Sequence, residues 1–182
     1  MSRVPPRWAS FPIQRMVERD SSSALYCIAA AAIYLGTLKD KDDGGKWILM
    51  NAEAASFSKG RAYEKVVRKL ADAAGLDLFR PNRRAEGLDD LAYRSDRPGD
   101  ETLWIALLKA NFPNPAKRKN ARPDLHYVLV LDVIAKGIVV ADPHPGRKPL
   151  HVMGKEPFLA AWSAARAHGR PGWAGCLGRR KD

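Results

Sequence analysis

The sequence contains only two cysteines among its 182 residues, Cys27 and Cys176. Two cysteines cannot form the several disulfides that stabilise small secreted proteins, so we expect both to be free thiols in a reducing compartment. The sequence has neither a Cys-x-x-Cys pair nor a His-x₃-His spacing. It therefore indicates no zinc site, and we expect no metal and no other cofactor.

Long hydrophobic runs are also lacking. The apolar run over residues 24–35 is shorter than the roughly 18–20 residues that a membrane span requires, and charged residues precede it. Residues 1–7 contain two prolines and no apolar segment of the kind found in a signal peptide. We therefore expect no membrane span, and either a cytoplasmic location or secretion by a route that needs no signal peptide.

Acidic residues are few relative to basic ones, 20 against 31, which gives a formal net charge of +11. Such a charge suits an acidic protein, a nucleic acid or a membrane surface. The basic residues are spread along the chain, however, and their densest cluster, residues 117–122, has no aromatic side chain interleaved for base stacking. We therefore do not expect a nucleic acid as the partner.

The length and composition are those of one globular domain, because 46% of the residues are hydrophobic and can form a core. Proline near the start and a Gly-rich basic stretch at the end suggest two less ordered termini. We predict a flexible arm over residues 1–10, one domain over residues 11–170, and a basic tail over residues 171–182.

The first half of the chain has helical patterns. Any of the serines 21–23 can cap a helix that runs from Ala24 to Tyr34 or Leu35 and stops at Gly36. Nearly every residue of this helix is apolar, which is typical of a buried central helix. A charged, glycine-containing loop is expected over residues 39–46, followed by a second helix over residues 61–74.

The last third of the chain is rich in β-branched residues. It predicts a strand over residues 126–134, a return strand over 138–141, a third strand over 149–153 and a helix over 156–166. The segment around residues 102–108, which Asp100 can cap, fits a helix. Helices followed by a β-meander make the predicted fold class α+β.

Cys27 is the first residue with reactive chemistry. If Ser22 or Ser23 caps the helix, Cys27 falls in or at the end of its first turn, where the positive end of the helix dipole lowers a thiol pKa. A small buried cysteine also packs much as alanine does, and residues 29–32 are all alanine. Nucleophile and core residue are therefore both open for Cys27.

His126 begins one predicted strand and Asp142 ends the next. An imidazole can take the proton of a thiol, and a carboxylate can hold that imidazole in one tautomer. The alternatives are a histidine without chemical function and an ordinary Asp-Pro turn; His144, close to Asp142, is a second candidate base.

Strand register raises a difficulty for this pair. A two-residue turn at Lys136-Gly137 would place Asp142 opposite Leu131, five residues from His126. At the rise of a strand this is roughly 17 Å, so a bulge, a longer loop or a shear must bring the two side chains together.

These segments resemble the C39 and C39-like branch of the papain-like cysteine peptidases. In that group a cysteine opens a long apolar helix, here residues 27–36, and a His-Tyr-Val strand lies far downstream, here residues 126–131. An Ala-Asp-Pro strand end matches residues 141–143, and a following helix with Phe and Trp matches Phe158 and Trp162.

The resemblance implies a papain-like fold in which Cys27 is the nucleophile, His126 the base and Asp142 the group that orients it. It also favours a strand, in place of a helix, over residues 102–107. The sequence departs from the family at two points. Ile28 and Ala29 follow the cysteine where the family often has Gly-Pro, and the family's oxyanion-hole glutamine, six residues before the cysteine, is replaced by serine. We assign that oxyanion role to Gln14, which lies further upstream.

The implied function is a cysteine hydrolase (a thiol protease) that acts on a protein or peptide substrate. The same chemistry would also serve a deamidase or a transglutaminase acting on glutamine side chains. A lone basic domain of this kind is typical of secreted bacterial effectors and toxins, so we also expect a role of that type. An immunity or inhibitor protein would then be a further partner. The alternative is an inactive papain-like binding module that holds an acidic protein or a nucleic acid on its basic surface.

Overall fold

The computed structural model describes residues 3–16, 22–56, 63–79, 101–110, 124–167 and 170–180, together with Leu88 and Leu91. Its helices are a 3₁₀ turn over Pro6–Trp8, α1 over Ser23–Tyr34, α2 over Lys41–Ser56, α3 over Tyr63–Ala73 and α4 over Lys155–Ala164. Its strands are β1 over Leu76–Phe79, β2 over Thr102–Ala110, β3 over Asp124–Ile134, β4 over Gly137–Ala141, β5 over Leu150–Met153, β6 over Arg166–Ala167, β7 over Arg170–Pro171 and β8 over Ala174–Arg179.

Six of these strands form one antiparallel sheet in the order β1-β8-β2-β3-β4-β5. Strands β6 and β7 form a separate two-stranded ribbon. Helices α1 and α3 pack on one face of the main sheet, and α4 packs on the other. The α+β class predicted from the sequence is confirmed.

Helix α1 is the central helix that the sequence predicts. Its residues from Ser23 to Ala32 are all buried, and Gly36, just beyond its end, has a φ of +76°. The run of alanines allows the helix to lie close to strand β3, because short side chains let the two backbones approach each other closely. The amino-terminal end of α1 is thereby placed beside the start of β3.

Helix α2 includes residues 41–46 of the loop predicted over residues 39–46, so that prediction is wrong for those residues. The Asp40 carboxylate accepts hydrogen bonds from the N–H groups of Asp42 and Asp43, both at 3.0 Å, and so caps the helix. Gly44, which argues against a helix by propensity, lies against α1: a Cβ built there would be 2.7 Å from Cδ1 of Ile33. The glycine is accommodated because two helices approach closely at this point.

The segment that fitted a helix or a strand is strand β2. Its side chains alternate between the two faces, so that Leu103, Ile105 and Leu107 face α1 and α3 while Trp104 and Ala106 face α4. Both faces are apolar because both are covered by helices. The strands and the carboxyl-terminal helix predicted for the last third also form, as β3, β4, β5 and α4.

The amino-terminal segment differs from the predicted flexible arm. Trp8 is only 2% exposed, and its indole N–H donates to the carboxylate of Asp132 at 3.1 Å. The guanidinium of Arg7 forms an ion pair with the same carboxylate. A buried carboxylate on β3 thus fixes residues 6–8 to the core, an interaction that local sequence does not reveal.

The carboxyl-terminal segment likewise differs from the predicted tail. Residues 174–179 form β8, which pairs with β1 on one side and β2 on the other. Gly175 permits this position, since a Cβ there would lie 2.6 Å from Cδ1 of Leu78.

The sequence also predicts a short helical turn over residues 88–93 and a loop rich in proline and basic residues over 111–123. The first lies largely, and the second wholly, outside the described residues. Among the helices that are described, none has the length and apolar character needed to cross a membrane.

Candidate active site

His126 and Asp142 form a buried pair at one end of the sheet. The Nε2 atom of His126 lies 2.7 Å from Oδ1 of Asp142, and the two side chains are 4% and 1% exposed. A carboxylate at this distance holds the imidazole with Nε2 directed at Asp142, so that Nδ1 is the ring nitrogen on the opposite side.

The position of the turn and a bulge in β3 together reduce the register difficulty of the sequence. The turn pairs Ile134 with Gly137, and this pairing alone would set Asp142 opposite Leu129 instead of Leu131. The bulge between Val130 and Asp132, one of the three predicted solutions, shifts the register by one more residue, so that Leu129 pairs with Ala141. Asp142 therefore lies near the start of β3.

The Asp142 carboxylate has hydrogen-bond and ionic partners besides His126. Its Oδ1 also accepts the backbone N–H of His144 at 2.9 Å, and Nη1 of Arg147 lies 3.5 Å from Oδ2. Burial by itself raises the pKa of the Asp142 carboxyl. The hydrogen bond and charge of His126, the His144 N–H and the Arg147 charge outweigh burial, and the pKa of Asp142 is lowered. The carboxylate is therefore ionised at neutral pH.

His144, the second candidate base, packs edge-on against the His126 ring with 5.7 Å between ring centroids. Its Nδ1 accepts the N–H of Gly146 at 3.1 Å, and burial followed by the charge of His126 lowers its pKa. Since Asp142 bonds the ring of His126 but only the main chain of His144, the geometry favours His126 as the base.

The amino-terminal half of α1 meets the main chain of the residue after His126. The hydroxyl Oγ of Ser23 accepts the N–H of Tyr127 at 2.8 Å, and the thiol Sγ of Cys27 donates to the Tyr127 carbonyl at 3.4 Å. The pairing of β3 with β4 ends before it reaches Tyr127. On the other side, Tyr127 pairs with Leu107 of β2, but the Leu107 N–H points away from β3 and donates to the carbonyl of Trp173 at 3.1 Å. The two helix side chains thus satisfy backbone groups that no neighbouring strand reaches.

Cys27 is the fifth residue of α1, in its second turn. Its side chain is buried, with the residue only 2% exposed, and its N–H belongs to the helical ladder. Burial, followed by the negative charge of Asp142, raises the pKa of the Cys27 thiol well above its ordinary value. As placed, the thiol is protonated at neutral pH.

The Gln14 amide is bonded at the start of α2. Its Nε2 donates to the carbonyl of Lys41 at 3.4 Å, and a Cβ built on Gly44 would contact both this amide and Ile33.

Ser23, which the sequence offers only as one of three capping serines, binds the main chain of β3 instead of capping α1. Over the described ranges, no three His, Cys, Asp or Glu side chains are grouped so that they could hold a metal ion.

Comparison with known protein families, and with characterised proteins by sequence, finds no match. Comparison with solved structures identifies the fold, which is that of a C39 peptidase domain of the papain-like type. One similar structure is the peptidase domain of Streptococcus ComA, a bifunctional ABC transporter involved in a quorum-sensing pathway, with a TM-score of 0.60 and 16% sequence identity. The alignment covers 93% of this chain and 99% of the ComA domain, and it confirms the fold that the resemblance implied.

Proposed function

We propose that the protein is an acyl-transfer hydrolase with papain-like chemistry, acting on the amide bond of a protein or peptide substrate. The observation that supports this most is the His126–Asp142 pair, at 2.7 Å and almost fully buried, beside the amino-terminal end of α1. The peptidase named in the similar structure makes peptide hydrolysis the first reaction to test.

In this mechanism the nucleophile gives its proton to Nδ1 of His126 while it attacks the carbonyl carbon of the amide. Asp142 remains ionised and stabilises the imidazolium through Nε2. His126 then protonates the departing amine, and water, deprotonated by the same nitrogen, releases the acyl group. One water is consumed, and one acid and one amine are formed.

Cys27 is the nucleophile that the sequence predicts, and that role stays a prediction. In favour of it, the thiol lies at Tyr127, the residue after His126. Its raised pKa means that no thiolate–imidazolium pair stands ready at neutral pH, so the proton would have to move as the sulfur attacks. Gln14 as an oxyanion donor likewise stays a prediction, and it would require the amide to leave Lys41.

The experiment is hydrolysis of a denatured protein and of a peptide mixture, analysed by mass spectrometry, with the His126→Ala variant in parallel. We expect new termini with the wild type and loss of at least about 100-fold in rate with His126→Ala. Wild-type rates that match those of His126→Ala would contradict the proposal. Ammonia release and amine incorporation, measured on the same samples, test the deamidase and transglutaminase versions.

The binding module is the second candidate, and the buried, protonated state of Cys27 favours it. With a net charge of +11, the protein would hold an acidic protein or a nucleic acid by charge, and binding would weaken steeply as salt is raised. Salt-sensitive binding without any hydrolysis would support this candidate. The role as a secreted effector or toxin, with an immunity protein, rests on the sequence alone.

A further inference from the structure

The loop that follows Asp142, residues 143–149, is bound by the amino-terminal segment of the chain. We infer that Arg15 is a positioning residue of the candidate active site, which fixes this loop and, through it, the Asp142 carboxylate that orients His126. The inference rests on the proposed hydrolase function. Arg15 acts through the main chain of the loop, not through contact with a reacting atom.

The 143–149 loop has few hydrogen-bond donors of its own. Three of its residues, at positions 143, 145 and 149, are prolines, which have no backbone N–H. The N–H groups of Gly146 and Arg147 are used within the loop, since they donate to Nδ1 of His144 at 3.1 Å and to its carbonyl at 3.2 Å. Donors for other carbonyls of the loop must therefore come from water or from another segment.

Residues 15 and 16 supply these donors. The guanidinium of Arg15 donates through Nη2 to the Pro145 carbonyl at 2.6 Å and through Nη1 to the Arg147 carbonyl at 3.1 Å. The N–H of Met16 donates to the Pro143 carbonyl at 2.9 Å. Every second carbonyl from position 143 to position 147 is thus bound by one short segment. A guanidinium suits this role because its N–H groups form a rigid fork that bonds two acceptors at once.

The same loop bonds both oxygens of the Asp142 carboxylate. The His144 N–H donates at 2.9 Å to Oδ1, which is also the oxygen that lies 2.7 Å from Nε2 of His126. The Arg147 guanidinium lies 3.5 Å from Oδ2. Arg147 therefore bonds Arg15 through its carbonyl and Asp142 through its side chain. This chain of contacts limits rotation of the carboxylate and so fixes the direction in which the imidazole is held.

The amino-terminal segment is attached to the rest of the fold on both sides of this contact region. Upstream, the indole N–H of Trp8 bonds the buried Asp132 of β3 at 3.1 Å. Next to Arg15, the Gln14 amide donates to the carbonyl of Lys41 at the start of α2. Arg15 thus extends from a segment fixed to the sheet and to a helix, which gives the loop a firm support.

An NMR signal tests the inference without a substrate. Ionised Asp142 can only accept a hydrogen bond, so Nε2 of His126 donates, and the proton of this buried bond should give a downfield signal that His126→Ala abolishes. We expect Arg15→Ala to speed exchange of this proton with water at least about fivefold, because the loop opens more often. Arg7→Ala is the matched control. It removes another guanidinium of the same segment and should leave the exchange unchanged.

Equal exchange rates in Arg15→Ala and Arg7→Ala would overturn the inference, as would a wild-type spectrum without the downfield signal. Urea unfolding of both variants tests for a purely structural role. Faster exchange in Arg15→Ala that only matches a general loss of stability would also overturn the inference. Faster exchange at a stability equal to that of Arg7→Ala supports it.

Hydrolysis kinetics separate this inference from the proposed function. If the wild type cleaves peptides, we expect Arg15→Ala to lower kcat at least about tenfold and to leave KM within about twofold, because Arg15 orients the base and does not bind the substrate. An unchanged kcat would overturn the inference and leave the hydrolase proposal intact; if KM rose at the same time, Arg15 would be a binding residue for an acidic substrate. Absence of any His126-dependent cleavage counts against the hydrolase, while the NMR experiment still decides the role of Arg15.

Discussion

His126 and Asp142 bond through Nε2 and Oδ1 at 2.7 Å although they lie on different strands and are 16 residues apart in the chain. The bond selects the tautomer of the imidazole and gives its outer nitrogen a fixed direction. Its loss should therefore change chemistry more than stability.

Asp142→Asn tests this directly. An amide keeps the size of the side chain but cannot stabilise an imidazolium, so we expect the rate of peptide hydrolysis to fall by about 100-fold or more. The rate is measured on the substrate that the wild type cleaves best. Asp72→Asn, which removes a surface partner of Arg180, is the control and should leave the rate unchanged.

The lowered pKa of Asp142 predicts how stability depends on acid. A carboxyl whose folded pKa lies below its unfolded value of about 3.9 stabilises the fold above that pH, and this contribution is lost as pH falls through the folded pKa. Urea unfolding between pH 3 and 7 should show a shallower acid loss in Asp142→Asn than in the wild type. Identical slopes would mean that the pKa of Asp142 is not lowered.

The raised pKa of Cys27 predicts the opposite trend at alkaline pH. Above about 8.5 the unfolded thiol ionises while the folded one stays protonated, so stability falls with pH by up to about 1.4 kcal/mol per unit. We expect Cys27→Ala to flatten this decline, as measured by urea unfolding between pH 8 and 10. Cys176→Ala should flatten it less, because Cys176 is less buried.

Asp132 should matter for stability without affecting the active site. Asp132→Ala leaves the buried indole N–H of Trp8 without this acceptor and removes the ion pair with Arg7, so we expect a loss of about 2–4 kcal/mol in the free energy of unfolding. Arg7→Ala should cost less, since that side chain is 61% exposed. Trp8→Phe, combined with Asp132→Ala, shows whether the unpaired indole is the cause.

Two glycines give a matched pair of opposite predictions. Gly137 has a φ of +152°, and a Cβ there would collide with the backbone carbonyl oxygen of Met153, so Gly137→Ala should lose about 2 kcal/mol or more. Gly45 lies inside α2, and a Cβ added there would meet no atom within 4 Å, so Gly45→Ala should gain about 0.5–1 kcal/mol. Thermal unfolding of both variants checks the contrast.

The residue pattern of a single segment was sufficient to predict those helices and strands that do not depend on distant contacts. The apolar run of α1 and the β-branched runs of β3 and β4 each specify one element, and a histidine and an aspartate at strand ends could be proposed from them. The bulge between Val130 and Asp132, which adds the last residue of the register shift between these two side chains, has no sequence signature, although the register arithmetic showed that such a feature was needed.

The rest depends on contacts between distant segments. Strand β8 has the sequence Ala-Gly-Cys-Leu-Gly-Arg, which has little strand propensity, and it forms because β1 and β2 pair with it on both sides. In α2, Gly44 is suited to its contact with α1, not to helix formation. Helix α1 begins at Ser23, one residue before the predicted start at Ala24.

Strand β8 also sets an order for folding during synthesis. It follows the other described strands in the chain, yet β1 reaches the rest of the main sheet only through it. Until residues 174–179 have left the ribosome, β2 presents an unpaired apolar edge and β1 lacks its β8 partner. Strand β3 can pair with β2 and β4 earlier, and this pairing positions His126 and Asp142. A nascent chain would therefore hold its acid–base pair before its sheet is closed, and closure would come in a late step.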